Sequence, residues 1–188
     1  MATYSNAEAF IEVLNAHGID KIFFNPGGEF IGLQSRIAQA RVAGETAPQL
    51  VLCLDESVTV SAAHGAYMVS GKPQVILVHS ELGTLQMGGN LQNLQWGRVP
   101  AVILAAYQTD GLRSTWRQEP YDQGWIVRGN MKWDRRITND EGLGPILIEA
   151  FRVACTEPTG PVYLYFPFDY LAQTTDRPDA PLAPAEVA

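Results

Sequence analysis

Apolar residues in this chain fall into two kinds of run, and their alternation predicts the architecture. Unbroken runs rich in branched residues, at 50–54, 75–78, 101–106 and 162–166, have the length and composition of buried strands. A shorter one at 19–24 precedes Asn25-Pro26-Gly27-Gly28-Glu29, a turn feeding a helix from about residue 30 to residue 43. Ala9, Phe10, Val13 and Leu14 follow at helical spacing behind the capping box Ser5-Asn6-Ala7-Glu8, and Gly18 stops that helix, which is expected over 7–17. Small residues Ala62, Ala63, Gly65 and Ala66 mark a helix over 56–69, and a last helix is expected over 143–155. Between them, 81–96 reads as one helix carrying Leu85, Leu91, Leu94 and Trp96. Gly88 and Gly89 weaken it by roughly 1 kcal/mol each relative to alanine, and close packing is the expected reason for them.

The order α-β-α-β-α-β-α-β-loop-α-β predicts an α/β domain of three layers, α/β/α, around a mostly parallel, doubly wound sheet. That domain is expected over 1–172. Residues 173–188, rich in Pro, Ala and Asp, read as a flexible tail or linker. The excursion over 107–130 mixes Arg113, Trp116, Arg117, Tyr121 and Trp125 without a steady period, and Lys132-Trp133 after it is a short extended piece. Excursions of that length are usually functional or mobile.

Polar residues gather where the strands end. Asp55-Glu56-Ser57 follows one strand and His79-Ser80 the next. In open α/β sheets the ligand crevice lies outside the carboxyl ends of the strands, so Glu56 and His79 are expected at one edge.

Composition narrows the functions. The chain has 188 residues, 46% hydrophobic and only 18% charged, enough for a core and sparing of surface charge, which hints at a partner. Thirteen Lys+Arg against 20 Asp+Glu give a net charge of −7, which argues against nucleic-acid binding. Cys53 and Cys155 read as core thiols, in a strand and a helix respectively. The first six residues lack the basic and apolar regions of a signal peptide and no apolar run reaches membrane-spanning length, so a cytoplasmic address is expected. Phosphate-binding glycine signatures, metal-ligand spacing and a nucleophile elbow around Ser57 or Ser80 are all missing. No metal ligand is assigned.

Read in order, residues 17–28 ending in Asn25-Pro26-Gly27-Gly28, then Asp55-Glu56-Ser57, Ala63-His64-Gly65-Ala66-Tyr67, Gly71-Lys72-Pro73, His79-Ser80-Glu81-Leu82-Gly83-Thr84, 99–103, and Gly160-Pro161-Val162-Tyr163-Leu164 with Pro167, resemble the pyrimidine-binding domain of thiamine-diphosphate-dependent enzymes. The resemblance covers about residues 4–171. It is strongest toward benzoylformate decarboxylase and its relatives, through Asn25-Pro26-Gly27, His79-Ser80 with Gly83-Thr84, and Lys132-Trp133. The 2-hydroxyacyl-CoA lyases and acetolactate synthases belong to the same group.

The resemblance implies roles. A carboxylate hydrogen-bonded to the aminopyrimidine ring of thiamine diphosphate can shift it to the imino form that removes the C2 proton, and Glu56 matches the family's glutamate for this task. Its plain reading is a helix N-terminal acid favoured by the macrodipole; Asp55 is the expected cap. His79 matches an active-site histidine that exchanges protons with substrate, against the plain reading of a structural histidine at a strand end. Pro26, Gly27 and Gln108 match cofactor-side positions, and Gly28, His79 and Ser80 the substrate pocket, with a solvated loop amide as the plain reading of Gln108. Gly28 stands where arylglyoxylate decarboxylases have a serine that contacts the substrate carboxylate, which puts that substrate in doubt.

Such enzymes normally carry a diphosphate-binding domain with a Gly-Asp-Gly magnesium motif, and no Gly-Asp-Gly occurs here. The resemblance therefore implies one subunit of a split, hetero-oligomeric lyase, a 2-oxo acid decarboxylase or a 2-hydroxyacyl-CoA lyase or carboligase, inactive alone. A second subunit would grip the diphosphate and Mg2+, with the small-residue helix at 56–69 as the contact surface or, more plainly, packed on its own sheet. The other class left open is a non-catalytic regulatory or binding module derived from such an enzyme.

Overall fold

The computed structural model describes residues 4–108, 122–179 and 181–184. Helix α1 (Asn6–Ala16) opens on the expected capping box, in which the Ser5 side chain accepts from the Glu8 amide and the Glu8 carboxylate from the Ser5 amide. Strand β1 (Lys21–Phe24) leads through a 3-10 turn, Gly28–Phe30, into α2 (Ile31–Val42). Then come β2 (Gln49–Leu52), α3 (Glu56–Ser70), β3 (Gln74–Val78), α4 (Ser80–Gln86), α5 (Gly88–Trp96) and β4 (Ala101–Tyr107). Two 3-10 turns, Gln123–Ile126 and Arg128–Asn130, precede β5 (Trp133–Arg136), α6 (Leu143–Cys155) and β6 (Val162–Pro167).

Six strands form one sheet among the described residues, in the order β2-β1-β3-β4-β6-β5, and every pairing is parallel. Alternate side chains of each strand feed two cores, as the period of two requires. Ile22, Phe24, Val75, Leu77, Leu104 and Leu164 pack with α1, α2 and α6 on one face. Phe23, Ile76, Val78, Ile103, Ala105 and Tyr163 pack with α3 and α5 on the other. The sheet is doubly wound. From β1 the chain steps outward to β2, then returns across to β3 on the far side of β1, so the order reverses between β1 and β3. In sheets of this kind ligands bind outside the carboxyl edge at such a reversal, here between the loops that leave β1 and β3.

The structure departs from sequence expectation in several places. The single helix expected over 81–96 is two, divided at the fully buried Met87. A Cβ on Gly88 or Gly89 would meet nothing within 4 Å, so close packing does not explain that pair; the two glycines open α5 instead. Strand β2 ends at Leu52 because the chain turns out to present Asp55 as the cap of α3, leaving Cys53 beyond the strand and Leu54 93% exposed. Lys132-Trp133 introduces a full edge strand. Lys132 Nζ donates to the carbonyls of Val153 and Thr156 and so closes the carboxyl end of α6, away from the site.

Residues after β6 run back along α1. Thr174 bridges Ser5 in antiparallel fashion, the Thr175 amide donates to the Tyr4 carbonyl at 2.9 Å, Arg177 pairs with Glu12 at 2.5 Å, and Leu182 packs over Gly144. No helix among the described residues is long and apolar enough to cross a membrane.

Candidate active site

Asp55 starts α3 as its N-cap, accepting from the Ser57 amide at 2.7 Å, from the Ser57 hydroxyl, and from Gln86 Nε2 of α4 at 3.1 Å. The Ser57 hydroxyl, then Gln86, hold its carboxyl below the usual carboxylate range. Glu56 is thereby fixed in the first turn of α3 with its side chain turned toward α4. The residue is 8% exposed; no hydrogen bond to its carboxylate occurs among the described residues, and its oxygens are not among the fully buried unpartnered atoms, so they reach solvent. Room for it exists because position 83 is glycine. A Cβ there would lie 2.6 Å from Glu56 Oε1.

On the other side of α4's first turn stands a second carboxylate. Glu29, 3% exposed, reaches from the β1 loop to the β3 loop. His79 Nδ1 lies 3.0 Å from each Glu29 oxygen, the Ser80 amide donates to Glu29 Oε1 at 3.0 Å, and the Ser80 hydroxyl donates to the same oxygen at 3.2 Å. An ionised carboxylate only accepts, so the proton of the His79–Glu29 contact sits on Nδ1 and Nε2 is the nitrogen left for other partners. Ser80 pays for this arrangement with φ +40°, a left-handed conformation uncommon for a residue with a Cβ. Gly27 is the other requirement. A Cβ at that position would come within 2.1 Å of Glu29 Oε2 and 2.3 Å of His79 Nδ1.

Gly27, Glu29, His79 and Ser80 thus meet across the switch point, and Glu56 joins them through α4. Gly28 is exposed and faces Phe168 after β6, whose ring edge is 3.1 Å from where a Cβ would stand, so any side chain here would have to displace that ring. Pro26 is exposed in the same loop. Gln108, half-buried, follows β4, the strand beside β3, and so lies at the same edge. Glu29 escaped sequence reading as more than a turn residue. Its only local signal was an acid directly after a glycine pair at a strand end.

A recess of about 290 Å³ lined by Gly18, Asp20, Lys21, Val69, Lys72 and Gln74 opens at the opposite, amino end of β1 and β3 and contains none of these groups. No group of three or more His, Cys, Asp or Glu that could hold a metal ion occurs among the described residues.

The family model described as "Thiamine pyrophosphate enzyme, N-terminal TPP binding domain" matches residues 5–125. The chain belongs to that family. This N-terminal, pyrimidine-binding domain is 27% identical over 166 residues to benzoylformate decarboxylase of Pseudomonas aeruginosa, covering 88% of this chain and 30% of that protein. It is 29% identical over 167 residues to 2-hydroxyacyl-CoA lyase 2 of Xenopus laevis, covering 87% and 24% respectively. Among solved structures it is similar to the Rhodococcus jostii RHA1 thiamine diphosphate-dependent 4-hydroxybenzoylformate decarboxylase, with a TM-score of 0.84 and 25% identity over 98% of this chain and 34% of that one. The pyrimidine-binding domain therefore spans about a third or less of the length of these relatives.

Proposed function

We propose that this chain is the pyrimidine-binding subunit of a split thiamine-diphosphate-dependent carbon–carbon lyase, a 2-oxo acid decarboxylase or a 2-hydroxyacyl-CoA lyase or carboligase. Its partner would be a second subunit that holds the diphosphate through Mg2+. The observation that carries the reading is Glu56: a residue 8% exposed whose carboxylate oxygens reach solvent and meet no hydrogen-bond donor among the described residues, in a space kept open by Gly83. A carboxylate that meets no donor among the described residues is free to accept from a bound ligand that carries one. The cofactor's pyrimidine ring offers such a donor in its protonated or imino form, so the residues present fit the cofactor.

Thiamine diphosphate supplies, when bound, a carbon acid able to add to a carbonyl and stabilise negative charge on it. The chain's own groups do the rest. Glu56 would share a proton with the ring nitrogen, donating it to the amino form and accepting from the N–H of the imino form. Glu29 holds His79 by Nδ1–H, so that Nε2 can take or return a proton at a substrate oxygen. Backbone at Gly27 and Gly28 lines the approach.

A partner surface is supported by Leu52 at the end of β2, Leu54 before the cap of α3, Val58 in its first turn and Leu82 and Leu85 on α4, large apolar side chains each more than half exposed around the turn that carries Glu56. The test is to purify the chain with and without a protein bearing a diphosphate-binding domain, then assay decarboxylation of 2-oxo acids with added thiamine diphosphate and Mg2+. Activity is expected only from the pair and is lost in Glu56→Gln. An active pair indifferent to that substitution overturns the role of Glu56, and an inactive, cofactor-free pair favours the regulatory module.

A further inference from the structure

Behind the His79–Ser80 turn lies a run of buried polar groups whose hydrogen-bond directions are forced one after another. The Ser80 carbonyl can only accept, so Thr84 Oγ1, 2.7 Å away, donates to it. With its single proton spent, Thr84 must accept from the Tyr163 hydroxyl at 2.7 Å. Tyr163 in turn accepts from Gln123 Nε2 at 2.7 Å, and the same nitrogen donates to the Ala106 carbonyl at 3.1 Å. Thr84 and Tyr163 are fully buried and Gln123 is 1% exposed. The orientation of the Gln123 amide follows, since a flip would set its oxygen against the Ala106 carbonyl. That orientation leaves Gln123 Oε1 buried without a partner among the described residues.

An orphaned acceptor is unfavourable and uncommon in native interiors, and an apolar side chain at position 123 would avoid it. What the arrangement secures is the Ser80 carbonyl. Its peptide neighbourhood is the left-handed turn at φ +40°, and the same residue's amide and hydroxyl hold Glu29 against His79. Such a conformation persists only where its surroundings over-determine it.

We propose that Gln123, Tyr163 and Thr84 form a positioning relay that locks the Ser80 turn and thereby holds His79 against Glu29. These residues touch neither cofactor nor substrate. The inference rests on the reading of His79 as a site residue only for its consequence. Burial keeps the Tyr163 phenol protonated, with its pKa pushed well above the ordinary value, so the relay stays intact across physiological pH.

Hydrogen exchange of the isolated chain, followed by NMR, tests the relay without cofactor. In Tyr163→Phe and in Thr84→Val the Ser80 amide is expected to exchange about tenfold faster relative to the Ile103 amide in the sheet core, the factor one buried hydrogen bond carries. The His79 ring nitrogen signals shift in both variants, while those of His17 and His64 stay. Thr84→Ser, which keeps the hydroxyl, restores both readouts. If Ser80 and Ile103 accelerate together, or His79 is unmoved although Glu29→Gln moves it, the relay is ordinary core and the proposal falls. Should Thr84→Val fail to fold, Tyr163→Phe decides alone. The cofactor reading is tested separately by Glu56→Gln, so either can fail while the other stands.

Discussion

Glu29 and His79, 50 residues apart in sequence, face each other at 3.0 Å across the reversal point of the sheet, and the Ser80 amide donates to the same carboxylate. Three donors from one turn converge on one buried acid. Glu29→Ala therefore strips the Ser80 amide and hydroxyl of their buried acceptor and is expected to destabilise the chain by about 2–4 kcal/mol, measured by urea denaturation. Glu29→Gln keeps an acceptor for Ser80 and should cost about half as much.

Gly27→Ala and Gly83→Ala are expected to separate the two halves of the site. An alanine Cβ at 27 collides with Glu29 and His79, whereas one at 83 collides only with Glu56. Overpacking of this kind typically costs about 1–3 kcal/mol. Gly83→Ala should abolish thiamine diphosphate binding by the partnered protein while leaving the His79 NMR signals in place. Gly27→Ala should do the reverse to His79. Calorimetric titration and side-chain NMR read the two effects.

Glu56→Gln should leave stability within about 1 kcal/mol of wild type, or raise it, because no hydrogen bond among the described residues is lost and a charge on a largely buried residue is removed. Loss of cofactor-dependent activity in a protein that melts no lower is the pattern of a group retained for chemistry. A clear fall in melting temperature would mark Glu56 as structural.

His17 gives a pH signature. Burial, with its ring stacked 4.3 Å from Phe151, lowers its pKa below the ordinary 6.5. The unfolded chain then binds the proton before the folded one does. Stability from this group is complete above pH 6.5 and declines as pH falls toward the depressed folded value. His17→Phe, which keeps an aromatic ring on Phe151, should flatten that part of the stability profile. Denaturation midpoints at about pH 7.5 and about pH 5.5 compare the two proteins within this window.

Much of this molecule was legible because local pattern and tertiary role agree. The helix expected over 143–155 coincides with α6, whose apolar stripe has a clean helical period, and the buried strand after Pro100 extends only one residue beyond expectation. Where the two disagree, the sequence misleads. Strand β5, Trp133–Arg136, carries Asp134, Arg135 and Arg136 on a half-exposed edge and shows no alternation to read. The break at Met87 depends on where that side chain is drawn into the core. Glu56 and His79 stood out by their position after strands. Glu29 and the relay did not, because the contacts that define them span 50, 79 and 40 residues and leave no local trace.

The interleaved winding of the sheet ties chemistry to assembly. Because β3 threads back to lie between β1 and β4, the acid and the imidazole become neighbours only after a distant hairpin-free pairing has closed. A chain in which those two strands have not yet paired holds both side chains without their contact, so the contact reports that the sheet's reversal has formed.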